Sequence, residues 1–288
     1  MKYSDKITPF QKRLSKDIKK INSSPNLFVK ADKTNNIYEV DKKTYQKLLK
    51  DNVTSTYKIA EQDIENKINK KTNQIIKELK IDDRVEITPK KDAYITIKDH
   101  KERFPDEIKC RLINPCKPNI GKVSKIFLDN INKKIKTLLN LRQLKNSYET
   151  IEWFNSLNNK TRLQFIQFDI VDFYPSVTDD LLKETIEFAT EHITLDPIEI
   201  ETIKNSRLSI LHHDNKVWTK KNGLFDITMG SYDGAQVTDL VGLYILYLLK
   251  KEIPEIDFGL YRDDGLGIHR RIPATKLNMI KKKIKAIF

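Results

Sequence analysis

Apolar residues recur along this chain at two spacings, and the switches between them predict its elements. Residues 1–22 are lysine-rich with apolar positions at helical spacing, which predicts an amphipathic helix. Leu27-Phe28-Val29-Lys30 and Ile37-Tyr38-Glu39-Val40 are short runs suited to paired strands. Asn35-Asn36 between them tolerates the left-handed conformation of a tight turn. A short helix is expected over 42–50 and a longer one over 59–79, with Ile64, Ile68, Ile75, Ile76 and Leu79 near helical spacing. Residues 93–97 alternate as a strand does, with 108–113 as the expected partner. Helices follow over 121–141 and 150–157.

The second half is more apolar. Residues 165–170 read as a strand that Pro175 ends, and Thr178 or Asp179 caps a helix over 181–190. Residues 197–211 are expected to be helical, 216–221 a short strand, and 234–250 a helix apolar enough to be buried on most sides. Phe258-Gly259-Leu260 and Gly265-Leu266-Gly267-Ile268 flank Tyr261-Arg262-Asp263-Asp264. That pattern is a tight hairpin with two carboxylates at its tip. Residues 276–285 begin a further helix. Strand and helix in this order, with an acidic hairpin last, predict an α+β fold whose sheet has helices on one face. There is no internal repeat and no low-complexity linker.

Charge is unevenly placed. The 288 residues carry a formal +13, but residues 1–150 hold 35 Lys and Arg against 20 Asp and Glu, while residues 151–250 hold 9 against 15. An acidic segment flanked by basic ones suits a metal site enclosed by a phosphate-binding surface. An AT-rich coding sequence, which enriches Lys, Asn and Ile, is the competing source of the bulk charge. The longest uncharged apolar run, from Leu240 to Leu249, has ten residues, short of the ~18 a membrane span needs. The N-terminus has no apolar signal region. A soluble, intracellular chain with no membrane partner is expected, nuclear or cytoplasmic. Cys110 and Cys116 match no zinc spacing and are read as reduced thiols. Adjacent His212 and His213 point in different directions, with no third ligand nearby. Seven of the eight glycines lie between Gly223 and Gly267, which suggests backbone approaching a ligand near the acidic hairpin.

Asp-Asp occurs at 82–83, 179–180 and 263–264. The first opens a polar connection, and the second complements a helix dipole. Only Asp263-Asp264 lies between apolar strand segments. Asp169 ends the strand Gln167-Phe168-Asp169-Ile170. Three Asp on two strands can hold two Mg²⁺ about 3.5–4 Å apart, the arrangement that drives nucleotidyl transfer. Mg²⁺ suits such a site because it binds one or two carboxylates together with substrate phosphates. The chain is therefore a candidate nucleic-acid polymerase.

Three motifs then carry a resemblance. Phe168-Asp-x-x-x-Phe-Tyr-Pro-Ser176, Met229-Gly-Ser-Tyr-Asp-Gly-Ala235 and Tyr261-Arg-Asp-Asp264 resemble, in order and spacing, three successive palm motifs of reverse transcriptases. Upstream, residues 28–40 with Ala31-Asp32-Lys33, then Tyr45 and Tyr57, resemble the N-terminal region of Penelope-like elements. Tyr94-Ile-Thr-Ile-Lys-Asp-His100 and Cys110-Arg-Leu-Ile-Asn-Pro115 resemble the fingers strands of that group. The resemblance spans about residues 27–270. It implies a mostly helical extension with a β-hairpin over 1–85, fingers over 86–160 and, over 161–288, an incomplete palm with an antiparallel sheet backed by helices, with 191–225 open to assignment to the fingers.

The same resemblance implies site roles. Asp169 and Asp263 become metal ligands, the Ile170 carbonyl completes one coordination sphere, and Asp264 is the nearby second carboxylate. Two Mg²⁺ ions are implied, with Mn²⁺ as a substitute. Tyr174 falls where reverse transcriptases block the ribose 2′-OH, with packing beside Phe173 as its other reading. Lys98 and Arg111 are candidate triphosphate cations, or solvated surface charges. Gly230 would let backbone approach template or nucleotide, or mark a plain turn. An RNA or DNA template with primer, and dNTPs, are the implied partners. Met229 stands where the family often has Gln, and Arg262 where a small or apolar residue is common. The chain reaches Phe288 soon after the acidic hairpin, so a fragment without the thumb is expected, one that binds primer–template but extends it poorly. The alternatives are an RNA-templated RNA polymerase, which Tyr174 disfavours, and an inactive palm remnant that only binds nucleic acid.

Overall fold

The structure, a computed structural model, describes residues 8–85, 90–228, 230–270 and 272–287. The chain forms two compact units, one from residues 1–58 and 93–113 and the other from 59–92 and 114–288.

In the first unit, α1 (Pro9–Ser23) starts with a reciprocal cap. The Gln11 amide donates to the Thr8 hydroxyl at 3.2 Å, and the Thr8 amide donates to Gln11 Oε1 at 2.7 Å, satisfying two donors that a helix start leaves open. Its apolar stripe, Phe10, Leu14, Ile18 and Ile21, is exposed. β1 (Leu27–Lys30) pairs antiparallel with β2 (Ile37–Val40), Leu27 opposite Val40. Neither Asn35 nor Asn36 takes the left-handed conformation expected of them. A longer loop closes instead when the Ala31 amide donates to the Asn36 carbonyl at 2.9 Å. α2 (Lys42–Thr56) outruns its expected end at residue 50 because Leu49 and Val53 continue its buried stripe. β3 (Tyr57–Ile59) follows at the boundary of the units. β4 (Tyr94–Ile97) and β5 (Cys110–Ile113) pair antiparallel, Tyr94 opposite Ile113. Asp99, just beyond β4, accepts from Thr34 Oγ1 at 2.5 Å, Asn36 at 2.9 Å and Tyr38 at 3.0 Å. The Thr34 bond first, then the other two, hold its carboxyl below the usual range.

The second unit opens with α3 (Ile64–Leu79). It is shorter than the expected 59–79 because Ile59 belongs to β3 and Asp63 is left-handed, with φ of 68°. Then come α4 (Gly121–Leu138), β6 (Arg142–Gln143), α5 (Ser147–Ser156) and β7 (Leu163–Asp169). The strand stops at Asp169, not near Pro175, which lies inside the short helix α6 (Phe173–Ser176). Pro is tolerated there because the first turn of a helix has no partner for its N–H groups. Thr178 caps α7 (Asp179–His192), its hydroxyl accepting from the Leu181 amide at 3.1 Å. α8 (Pro197–Asn205) ends before the expected residue 211, since Leu211 pairs with Trp218 where β8 (Leu211–His213) meets β9 (Lys216–Lys220). α9 (Gly234–Glu252), β10 (Asp257–Tyr261), β11 (Asp264–Arg270) and α10 (Ala274–Ile287) complete the unit.

One four-stranded sheet, in the order β6-β10-β11-β7, organises this unit. Its three long strands are antiparallel, and only the two-residue β6 runs parallel to β10. Side chains alternate between the two faces of a strand. Ile166, Phe258 and Leu260 point to one face and join a core with Leu128 and Ile135 of α4, Leu182 of α7 and Leu240 and Leu243 of α9. The other face carries Asp169, Gln167, Phe165 and Leu163 from β7, opposite Asp264, Leu266, Ile268 and Arg270 from β11. The helix-backed sheet expected from the pattern, antiparallel as the resemblance implies, is what the chain forms. Among the described residues, no helix is long and apolar enough to cross a membrane.

Glycines fit this sheet to its aromatic side chains. A Cβ on Gly265 would collide with the Phe168 ring directly opposite it, and one on Gly259 would lie 2.6 Å from the Trp153 ring. One on Gly267 would lie 2.9 Å from Phe258. The hairpin glycines thus make room for rings of the same chain, which corrects the reading of them as a backbone surface for a ligand. Trp153 is core: its Nε1 donates to Asp257 at 3.0 Å, and the Arg142 guanidinium lies 4.6 Å above its ring.

Candidate active site

The register of β7 and β11 sets Asp264 directly opposite Asp169. The Ile170 amide donates to the Asp263 carbonyl at 2.9 Å. That bond flanks an antiparallel pair of the closely spaced kind, whose Cα atoms are about 4.5 Å apart. Asp169 and Asp264 therefore leave the open face side by side, and Asp263 sits one residue further on, in the turn. All three are exposed. Arg262 makes the turn by adopting φ of 54°, and its guanidinium lies 6.0 Å from the Tyr261 ring. Like charges directly opposite one another destabilise a sheet, so this constellation favours a cation at the hairpin tip.

Among the described residues, no three His, Cys, Asp or Glu side chains are grouped so as to hold a metal ion by themselves. The carboxylate oxygens suit Mg²⁺ in the other way that ion binds, with one or two carboxylates and the remaining ligands from substrate phosphate and water.

Ile170 is buried, and its amide fixes the end of β7 against the hairpin turn. Tyr174 is half-buried in α6, where its ring meets Phe173 edge-on at 6.4 Å and packs on the main core. Gly230 lies against the Asn114 carbonyl so closely that any Cβ would overlap it. Its small size therefore serves an approach within the chain. Asn114 in turn donates to the Ile210 carbonyl at 2.9 Å. Met229 lies outside the described residues. Lys98 and Arg111 belong to the other unit. There the Lys98 amide extends the β4–β5 ladder to the Lys109 carbonyl at 2.8 Å, and Arg111 pairs with Asp32 at 3.1 Å.

A buried ionic group under the loop before α9 escaped the sequence reading. Arg207 and Asp233 form an ion pair, exposed by 1% and 0%. Ser206 donates to the second Asp233 oxygen at 2.7 Å and accepts from Arg207 at 3.1 Å. Asp233 is the N-cap residue of α9, so the pair ties the loop to the start of that helix. Asp233-Gly234 ahead of an apolar run is a legible helix start, but nothing in the sequence marks Arg207 as its partner. In the same loop Tyr232 lies between two ammonium groups, Lys117 at 4.3 Å and Lys122 at 5.2 Å from its ring.

No protein-family model matches the sequence, and no curated protein matches it. Solved structures do match. The telomerase of Candida albicans, in complex with a TWJ fragment of telomeric RNA, aligns with a TM-score of 0.57 at 12% identity, over 94% of this chain and 48% of that one. Apo telomerase from Candida tropicalis, truncated from its C-terminal domain, aligns at 0.56 and 12% identity, over 90% of this chain and 55% of that one. The chain shares the fold of these telomerases. It spans about half of their length, and at this identity the likeness is one of fold alone.

Proposed function

We propose that this chain is the polymerase portion of an RNA-directed DNA polymerase of a Penelope-like mobile element, adding deoxynucleotides to a primer 3′-OH. The observation that carries the reading is the register placing Asp169 beside Asp264, with Asp263 in the adjoining turn, on the open face of a helix-backed antiparallel sheet. The telomerase-like fold supports the polymerase class. The order of the three motifs supports reverse transcription.

Asp169, Asp263 and the Ile170 carbonyl would hold the two Mg²⁺ ions, with Asp264 alongside. Bound there, the ions would activate the primer hydroxyl and stabilise the departing pyrophosphate. The chain's own contribution is to fix the carboxylates in advance, through the paired strands and the Ile170–Asp263 bond, so that little reorganisation accompanies reaction. Tyr174 follows Asp169 closely in the chain and would crowd a ribose 2′-OH. An RNA template is in keeping with the RNA complex of the Candida albicans enzyme.

Primer extension on an RNA template, with Mg²⁺ and dNTPs, tests the proposal. Incorporation that disappears in Asp169→Asn and in Asp263→Asn is the expected result. Incorporation that survives both substitutions would overturn it. Tyr174→Ala should raise ribonucleotide use relative to deoxynucleotide use, and an unchanged ratio would leave Tyr174 as a packing residue.

A further inference from the structure

The open sheet face does not end at the carboxylates. Asp169, Gln167 and Phe165 occupy alternate positions of β7 and so share that face. At ~3.3 Å per residue, Phe165 lies roughly 13 Å from Asp169 along the strand. It is 51% exposed, and it meets Phe154 of α5, itself 40% exposed, with ring centroids 6.3 Å apart. Lys160 Nζ lies 5.6 Å from the Phe154 ring centroid. Arg162, exposed and one residue before β7, adds a second positive charge.

From this we infer that Phe154, Phe165 and Lys160 form a single-stranded nucleic-acid site on the same face as the carboxylates. Both rings are exposed, whereas Leu144, Trp153 and Ile268 form the buried cluster at this end of the sheet. Exposed rings next to cations are what sequence-tolerant strand binding requires: bases stack on the rings while ammonium and guanidinium groups neutralise phosphates. A purely apolar docking face would not need the cations. The inference extends the polymerase reading, which supplies the reason for a strand to cross this face, but its test is separate.

The probe is a fluorescein-labelled dT₁₂ or rU₁₂ oligonucleotide, with anisotropy read in EDTA so that no extension occurs. Phe154→Ser with Phe165→Ser should weaken binding about 10-fold or more. Phe154→Leu with Phe165→Leu keeps the apolar area and removes the stacking, and should weaken binding nearly as much. Lys160→Ala should flatten the dependence of log Kd on log salt by about 0.7. Thermal melts check that each variant is folded. Leucine variants that bind as the wild type would overturn the stacking site. Unchanged binding by the serine variants, together with lost self-association in size-exclusion chromatography, would overturn it in favour of a protein-docking face. Extension that survives Asp169→Asn and Asp263→Asn, together with oligonucleotide binding lost in both Phe pairs, would refute the polymerase reading and leave this site standing.

Discussion

The two faces of the β6-β10-β11-β7 sheet are built from the same strands and do different work. On one face Ile166, Phe258 and Leu260 are buried against α4, α7 and α9. On the other, Asp169 and Asp264 stand side by side in water, with Gln167 and Phe165 beyond them. One residue of register separates a core position from a site position. The comparison teaches that the charge repulsion of the open face is carried by the packed face. Two carboxylates can be held in adjacent positions because the residues between them bury apolar surface on the far side.

If the roles divide this cleanly, substitutions on the two faces should change different quantities. The largest expected effect is on chemistry. Asp169→Asn should reduce primer extension by about 1,000-fold or more, as loss of a preorganised electrostatic group in a reaction centre does. Stability should hold or rise slightly, because the like-charge neighbour of Asp264 is gone. Extension rates and denaturant melts on the same preparation check both halves. An Asp169→Asn protein that unfolds more easily would mean that the open face also stabilises the fold.

The next effect belongs to the packed side. Breaking a buried ion pair by removing one member costs about 3–5 kcal/mol, so Arg207→Met should lower stability by that order. Arg111→Met, at the pair with Asp32 whose side chains are 33% and 5% exposed, should cost less than Arg207→Met because Arg111 is partly solvated, but more than an exposed pair, because it leaves Asp32 buried without its partner. Leu260→Ala, fully buried between the sheet and α9, should cost about 2–5 kcal/mol. Urea melts of the three variants rank them. Equal costs for the two arginine variants would break the distinction between a fully buried pair and one with a partly solvated member.

Glycine substitutions sharpen the comparison further, because glycines seat rings on both faces. Gly265→Ala drives a Cβ into Phe168 on the packed side, and Gly259→Ala drives one into Trp153 on the other. Overpacking of this kind costs about 1–3 kcal/mol. Gly265→Ala should also lower extension, because it adjoins Asp264 in the strand, whereas Gly259→Ala should lower stability alone. Parallel rate and melt measurements on the pair decide it.

What the sequence made legible follows the same division. β7, the β10–β11 hairpin and α9 were readable because their apolar spacing is regular and their chemistry is local: Asp169 ends an apolar strand, and Asp263-Asp264 interrupt another. Boundaries set by contacts distant in the chain were not. α2 runs on because Val53 finds a buried place, and α8 stops because Leu211 is drawn into pairing with Trp218. Pro175 looked like a strand stop and is instead part of a short helix. The glycine cluster looked like a ligand surface because sequence shows the missing side chains but not the rings that occupy their space. Arg207 and Asp233 are joined by no periodicity, so nothing in the sequence pairs them.

The smallest expected effect concerns a carboxylate on the helix behind the sheet. Asp239 of α9 is half-buried, and burial pushes its carboxyl above its ordinary value of 3.8, with the Arg262 charge opposing the shift. A group whose folded pKa is raised stabilises the fold below its unfolded pKa and loses that contribution as pH rises through the folded pKa. Asp239 is therefore best tolerated in acid and costs stability once ionised near neutrality. Asp239→Asn removes the titration while keeping the size. Its stability advantage over the wild type should be absent below about pH 3.8, grow as pH rises through the folded pKa, and then level off, remaining smaller than the core effects above. Urea midpoints for both proteins between pH 4 and 8 measure the difference. Adding Arg262→Gln should enlarge the advantage, because it removes the positive charge that opposes the effect of burial. An advantage that shrinks with rising pH would show that Asp239 is stabilised in its ionised form, and that the packed side of the sheet, like the open one, has a place for charge.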